Sequence, residues 1–179
     1  MITWAWVVTL AFWLTPMPRH SAGWIVNYGS PRVSEANATF RGYSLEGFVC
    51  GAAVMSPSDL GKIVWVREVR EVGGEDAAWH GPCLAVDVSS RKDFYPYVMQ
   101  GEILEIDRNL ADHFGMRSSM RGEVWKDPCP PDGRETQPRR YRLREPVQFD
   151  LNGDRYSYWK VGRRPQESIP DDCPVNGLK

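Results

Sequence analysis

Two acidic residues, Asp87 and Glu105, occupy strand-like segments where their side chains could act on one substrate. In residues 83–88 the bulky apolar residues alternate with Asp87, which predicts that Asp87 points away from the core. In residues 103–107 Glu105 is likewise opposite the large apolar side chains. If the two strands come together, both carboxyl groups line one groove.

Two carboxyl groups in one groove can divide acid and base roles, because burial and mutual charge separate their pKa values. That division is the chemistry of glycosidic bond cleavage, with Asp87 as general acid/base and Glu105 as its electrostatic partner. The alternative is structural, since acidic residues at strand ends often pair with arginine. The arginines that could provide such a partner are Arg67, Arg70, Arg91 and Arg108.

Aromatic residues are numerous, with 8 Trp and 7 Tyr in 179 residues. An aromatic ring exposed in a cleft packs well on the apolar face of a sugar, although Trp and Tyr also fill cores when their polar atoms find partners. The candidates for sugar stacking are Trp65, Trp79, Tyr95 and Tyr97.

The chain contains four cysteines, Cys50, Cys83, Cys129 and Cys173, which allow three pairings. We favour a Cys50–Cys83 disulfide inside the domain and a Cys129–Cys173 disulfide across the tail. There is no Cys-x-x-Cys pair and the three His are scattered, so neither a metal site nor a cofactor is predicted.

Residues 2–14 form an apolar run interrupted only by Thr3 and Thr9, and are followed by Pro, Arg and the small residues Ser21, Ala22 and Gly23. This pattern is typical of a secretory signal peptide over residues 1–23, with cleavage after Ala22 or Gly23. The apolar run is too short to cross a bilayer as a helix. No Lys or Arg precedes it, so an uncleaved anchor or a core strand is the alternative. We expect a secreted or cell-envelope protein whose disulfides suit an oxidising compartment.

Short β-branched and apolar runs predict strands over residues 63–66, 83–88 and 103–106. One convincing helix follows Asp107, which serves as its N-cap, and Gly115 ends it. Between Val26 and Arg41 we expect a polar connecting stretch. Short strands with one small helix favour a mainly β barrel.

From residue 126 the composition becomes rich in Pro, and residues 126–179 are predicted to form a C-terminal extension. Asn152 and Gly153 stand between two strand-like runs and predict a β-hairpin there.

Residues 101–116, GEILEIDRNLADHFGM, resemble the closing signature of the rare lipoprotein A-like and expansin-like double-psi β-barrels. Upstream, residues 50–61, CGAAVMSPSDLG, and the Val-rich run after them are similar to an earlier stretch of that family. The similarity extends over residues 26–125. It implies a six-stranded double-psi β-barrel over residues 24–125.

Family members with activity are lytic transglycosylases that cleave peptidoglycan, whereas expansin-like relatives loosen or bind wall polysaccharide without hydrolysis. Asp87 falls near the Asp of the family's Asp-Arg-Gly-Pro motif, and Glu105 falls on the Asp of its Asp-Leu-Ser motif. This chain departs from the family after Asp87, where it has Val-Ser-Ser-Arg, and has Val54 in place of the family His.

The sequence therefore supports two hypotheses: an exported lytic transglycosylase-like enzyme, or a non-catalytic wall-binding or structural module of the cell surface or of an extracellular assembly. Cell-wall polysaccharide is the expected partner in both. The formal net charge of −1 gives no basic face for nucleic acid, and no stable membrane span is expected after signal cleavage.

Overall fold

The computed structural model describes residues 16–69, 78–89, 101–130, 165–168 and 170. Within these residues the chain forms a closed six-stranded β-barrel with the strand order β1-β5-β2-β4-β3-β6. The strands are β1 (His20–Gly29), β2 (Cys50–Val54), β3 (Ile63–Glu68), β4 (His80–Val88), β5 (Glu102–Asp107) and β6 (Ser119–Lys126). The helices are α1 (Pro31–Arg41), a short 3-10 helix (Pro57–Asp59) and α2 (Arg108–His113).

Parallel and antiparallel pairs are mixed around the barrel. The pairs β1–β5 and β2–β4 are parallel, whereas β2–β5, β3–β4, β3–β6 and β1–β6 are antiparallel. The strands predicted over residues 63–66, 83–88 and 103–106 are confirmed as parts of β3, β4 and β5.

Strand β1 begins at His20, four residues before the predicted start of the domain. Ala22 pairs with Glu123 of β6 and Gly23 pairs with Gly122, so both predicted cleavage positions lie inside a barrel strand. Ahead of the strand, the backbone N–H of Met17 donates to Asp59 Oδ2 at 2.9 Å.

The barrel interior is filled by aliphatic side chains from all six strands and from helix α2. Burial of this apolar surface is the main force that closes the barrel. The largest fully buried members of this inner core are Ile25, Val49, Val54, Leu60, Val64, Val66, Leu104, Ile106 and Leu110.

A second core lies outside the barrel, between strands β3 and β4 and the segment that contains α1. Leu84 and Val86 of β4 point into this outer core. The alternation of residues along β4 had predicted that they would point into the barrel interior, so this prediction was wrong. The inner core receives the small side chains of Cys83 and Ala85 instead. The other members of the outer core are Ala38, Leu45, Phe48, Ile63, Trp65 and Trp79.

Helix α1 corrects the prediction of a single helix, because it occupies the segment that was expected to be a polar connection. Its apolar periodicity is weak because the residues that it buries are Ser34, Ala38 and Arg41. Its end signals are nonetheless regular, with Pro31 in the first turn and Gly42 at a φ of 73° after the last turn. The helix packs closely: a methyl group on Gly51 would lie 2.4 Å from the Cβ of Ser34.

Helix α2 and its cap are confirmed. Asp107 accepts a hydrogen bond from Asn109 N at 3.0 Å, and Gly115 follows the helix at a φ of 64°. Asp107 also accepts from Gly51 N at 2.7 Å, so a fully buried carboxylate joins the start of α2 to β2.

The Cys50–Cys83 disulfide is confirmed and joins registered residues of β2 and β4 whose Cα atoms are 4.6 Å apart. Cys129 is also disulfide-bonded. Its predicted partner Cys173 lies outside the described residues, as does the hairpin predicted around Asn152 and Gly153. In the described part of the chain, none of the helices has the length and apolar character that crossing a membrane requires.

The C-terminal extension returns to the barrel at Gln166 and Glu167. The Gln166 side-chain amide accepts from Ser44 N at 2.8 Å and donates to Ser44 O at 2.9 Å. Glu167 N donates to Gly61 O at 2.8 Å, and the Glu167 carboxylate accepts from Ile63 N at 3.0 Å. The extension is therefore hydrogen-bonded to the backbone at the start of β3.

Candidate functional site: the Asp87 carboxylate and its neighbours

Asp87 and Glu105 lie on strands that are separated by one strand rather than adjacent. Ala53 of β2 is the registered partner of Asp87 on β4 and of Glu105 on β5. Registered residues of neighbouring strands project to the same side of a sheet, so both acids share a face. Two strand spacings separate their backbones, about 10 Å.

A register shift in β4 turns Asp87 toward the outside of the barrel. Ala52 pairs with Ala85 and Ala53 pairs with Asp87, which leaves Val86 without a partner in β2. An extra residue of this kind breaks the simple alternation of side chains. Val86 therefore belongs to the outer core, whereas Val88 belongs to the inner core.

Asp87 is 4% exposed, and its carboxylate is surrounded by donors from three elements. Its Oδ2 accepts from Tyr28 Oη at 2.6 Å and from Asn37 Nδ2 at 3.0 Å. Its Oδ1 accepts from Val88 N at 2.8 Å and lies 3.5 Å from Arg41 Nη2. Asn37 Nδ2 also donates to Tyr28 Oη, so the three polar side chains form one network.

Arg41 is the arginine partner of Asp87, and it comes from the helix that the sequence analysis missed. Its guanidinium side chain is 7% exposed, and its Nε donates to Val86 O at 2.7 Å. Two of the proposed partners are elsewhere: Arg67 pairs with Glu123, and Arg108 is exposed at the start of α2. Arg70 and Arg91 lie outside the described residues.

Glu105 is half-buried, and its Oε1 accepts from Ser89 Oγ at 2.6 Å. Ser89 belongs to the segment in which this chain departs from the family motif. Since Ser89 follows Asp87 by two residues, the hydroxyl connects the two acidic positions along one face. Tyr28, Asn37 and Glu105 are the members of this cluster that solvent partly reaches.

The arrangement around Asp87 stabilises a negative charge. A general acid must carry a proton before it can protonate a leaving group. Hydrogen-bond donors to both carboxylate oxygens, together with a buried guanidinium, favour the ionised form instead. The chemistry that this geometry offers is hydrogen bonding to hydroxyl groups at its half-buried edge.

No protein-family model, curated protein or solved structure matches this chain.

Two of the aromatic residues proposed for sugar stacking are core residues. Trp65 is 2% exposed and Trp79 is 3% exposed, and both belong to the outer core. Trp65 Nε1 donates to Asp127 O at 3.0 Å, which satisfies its polar atom within the fold. Neither ring offers a face to a sugar in this structure. Tyr95 and Tyr97 lie outside the described residues.

Tyr28, Asn37 and Arg41 are the site residues that sequence reasoning did not assign. Tyr28 stands next to Gly29 in a Tyr-Gly pair near the start of the domain, which was the one available signal. Asn37 and Arg41 gave no signal, because they contact Asp87 only when α1 packs on β4. Among the described residues no three His, Cys, Asp or Glu are grouped so that they could hold a metal ion.

Proposed function

We propose that this chain is an exported double-psi β-barrel that binds cell-wall polysaccharide, with peptidoglycan as the expected glycan, and does not cleave it. A lytic transglycosylase-like activity is the alternative. The observation that carries the proposal is the enclosure of Asp87 by Tyr28, Asn37 and Arg41.

The double-psi topology is supported by the two parallel pairs, β1–β5 and β2–β4, within a closed barrel. The residues that resemble the family signature, 101–116, form β5, α2 and the turn that follows. The resemblance and the strand pairing therefore concern the same part of the chain.

Export is supported by the Cys50–Cys83 disulfide, because disulfides persist in oxidising compartments and are rare in the cytosol. The apolar residues 2–14 provide a second, independent argument, since they have the length and composition of a signal region.

Binding is favoured over cleavage because the two roles place different demands on the acidic pair. Cleavage requires one carboxyl group that is protonated and reaches the glycosidic oxygen. Binding requires only fixed acceptors and donors, which the network of Tyr28, Asn37 and Asp87 provides. Glu105 and Ser89 extend this polar surface across β2 toward β5.

Incubation of the purified protein with peptidoglycan sacculi tests the proposal. Co-sedimentation measures binding, and mass spectrometry of the supernatant measures anhydro-muropeptides. We expect binding without release, and about tenfold weaker binding for Glu105→Gln if it loses one charged hydrogen bond. Asp112→Asn, which removes an exposed carboxylate from α2, is the matched control and should bind like wild type.

Release of anhydro-muropeptides by the wild type but not by a folded Asp87→Asn variant would establish the transglycosylase alternative. Circular dichroism and thermal melting establish whether each variant is folded. Absence of both binding and release would reject a function on peptidoglycan.

A further inference from the structure

The outer face of β1 and β6 carries a second candidate surface, away from Asp87. Trp24 of β1 is registered with Arg121 of β6, and His20 is registered with Trp125. Arg19 precedes β1 and completes the set. We call these five residues the Arg–Trp face.

Each Trp of the Arg–Trp face holds a guanidinium group over its ring. The Arg121 Cζ is 4.9 Å from the centroid of the Trp24 ring, and the Arg19 Cζ is 4.7 Å from that of Trp125. Cation–π contacts at these distances restrain long side chains that would otherwise move freely.

Four residues of the Arg–Trp face are accessible, whereas Trp125 is partly buried and packs against the outer core. The side chains of Arg19 and His20 are 63% and 48% exposed, and Trp24 is 36% exposed. Trp24 is one of few large apolar residues of the described chain with that exposure. An exposed ring of this kind provides a flat apolar surface at the edge of a polar sheet.

The charge of the Arg–Trp face is positive around Arg121. Glu123, the acidic residue between the two Arg–Trp pairs, is neutralised by Arg67 Nε at 2.6 Å and contacts His20 Nε2 at 3.2 Å. Asp127 pairs with Arg19. Within the described residues no carboxylate lies at ion-pair distance from Arg121.

The two Arg–Trp pairs also lie at separate positions along the sheet. Trp24 and His20 are four residues apart on β1, and His20 is registered with Trp125 on β6. The distance from Trp24 to His20 therefore also gives the separation of the two Arg–Trp pairs. Four residues of a strand extend about 13 Å. That span suits a short stretch of an extended chain rather than a single small molecule.

We propose that the Arg–Trp face binds a glycan chain that bears carboxylate groups, an inference that rests on the polysaccharide-binding function proposed above. The exposed part of the Trp24 ring, which Arg121 does not cover, packs on the apolar face of a sugar, and the Arg121 guanidinium binds a carboxylate through two N–H groups. A glycan is favoured over nucleic acid because the whole chain has a formal net charge of −1.

Titration calorimetry of the full chain with oligomeric polygalacturonate tests the proposal. Fully methyl-esterified polygalacturonate is the matched ligand, because it keeps the sugar backbone and removes the charge. We expect the acidic oligomer to bind and the ester to bind at least about tenfold more weakly. Trp24→Ala and Arg121→Gln should each weaken binding of the acidic oligomer by about tenfold.

Two further variants separate the geometry of Arg121 from its charge. Arg121→Lys keeps the charge but loses the planar pair of donors, so its affinity should fall between wild type and Arg121→Gln. Arg32→Gln removes one positive charge from the exposed side of α1, which packs on β2 and β4 across the barrel, and should leave affinity unchanged.

Equal weakening by Arg32→Gln, or equal binding of the ester, would overturn the proposal. Sedimentation with phosphatidylglycerol vesicles tests a membrane surface as the occupant, and binding there but not to the oligomer would also overturn it. If Trp24→Ala binds sacculi and the oligomer like wild type while Glu105→Gln loses sacculi, the Arg–Trp face fails and the proposed function stands.

Discussion

Arg41 Nη2 lies 3.5 Å from Asp87 Oδ1, and both side chains are more than nine-tenths buried. The pair joins α1 to β4 at the position where β4 has an extra residue relative to β2. Arg41 also donates to Val86 O, so one guanidinium binds both Val86, the extra residue of β4, and Asp87, which follows it. The acidic residue with the strongest claim to catalysis is thus also a structural anchor.

Removal of Arg41 should destabilise the fold strongly. Arg41→Met leaves the buried Asp87 charge without its cation, and the free energy of unfolding should fall by about 3 kcal/mol. Urea denaturation measures the change. The double variant Arg41→Met with Asp87→Asn should regain part of the lost stability, because the uncompensated charge is gone.

Arg32→Met, on the exposed side of the same helix, is the control and should change stability by less than about 0.5 kcal/mol. Equal losses for Arg32→Met and Arg41→Met would contradict a specific role for the pair.

Ser34→Ala should stabilise the protein. The Ser34 hydroxyl is fully buried in α1 and has no hydrogen-bond partner among the described residues. Its removal abolishes a desolvation cost of about 1 kcal/mol. Ser34→Val is the informative comparison. Because Gly51 packs closely against Ser34, the larger side chain of Val should clash there and destabilise the protein. A melting temperature for Ser34→Ala below that of wild type would show that the hydroxyl has a partner in solution.

The first residues of β1 should be needed for a stable barrel. A chain that begins at Trp24 lacks the four residues of β1, 20–23, that pair with residues 122–125 of β6. It should be less stable than a chain that begins at Pro16 by at least about 3 kcal/mol, since several backbone hydrogen bonds are lost. Urea denaturation of the two chains measures the difference. Equal stability would make cleavage after Gly23 compatible with the barrel.

Glu123 should give a pH-dependent contribution to stability. Partial burial by itself would raise its pKa, but the hydrogen bonds and charges of Arg67 and His20 outweigh burial and hold the pKa below its usual value of 4.5. A lowered pKa in the folded state means that the stabilisation is present above pH 4.5 and is lost as the pH falls through the folded-state pKa.

Glu123→Gln should therefore lower the free energy of unfolding by about 1 kcal/mol at pH 7. The difference from wild type should shrink progressively below pH 4.5. Denaturation at several pH values measures both quantities. Glu46→Gln, at an exposed position, should follow wild type throughout. A difference that stays constant with pH would mean that Glu123 acts through packing rather than charge.

Several elements could be predicted from the sequence because their causes are local. The β-branched runs of β3, β4 and β5 and the helix capped by Asp107 are specified by residues within a few positions of each other. The Cys50–Cys83 disulfide could be predicted because the chain has an even number of cysteines and these two lie in the same predicted domain.

The surroundings of Asp87 were decided by the tertiary structure. Alternation along one strand cannot reveal that β4 gains a residue against β2, because the shift exists only in the pairing of two strands. The sequence of α1 likewise shows little apolar periodicity, since the helix covers the barrel with Ser34, Ala38 and Arg41. Local patterning thus predicted β3, β4 and β5 and the start of α2, but not β1, β2 or β6. The contact between Arg41 and Asp87 depends on how distant segments pack. The residues around an arginine in a polar helix do not indicate which distant carboxylate it will pair with.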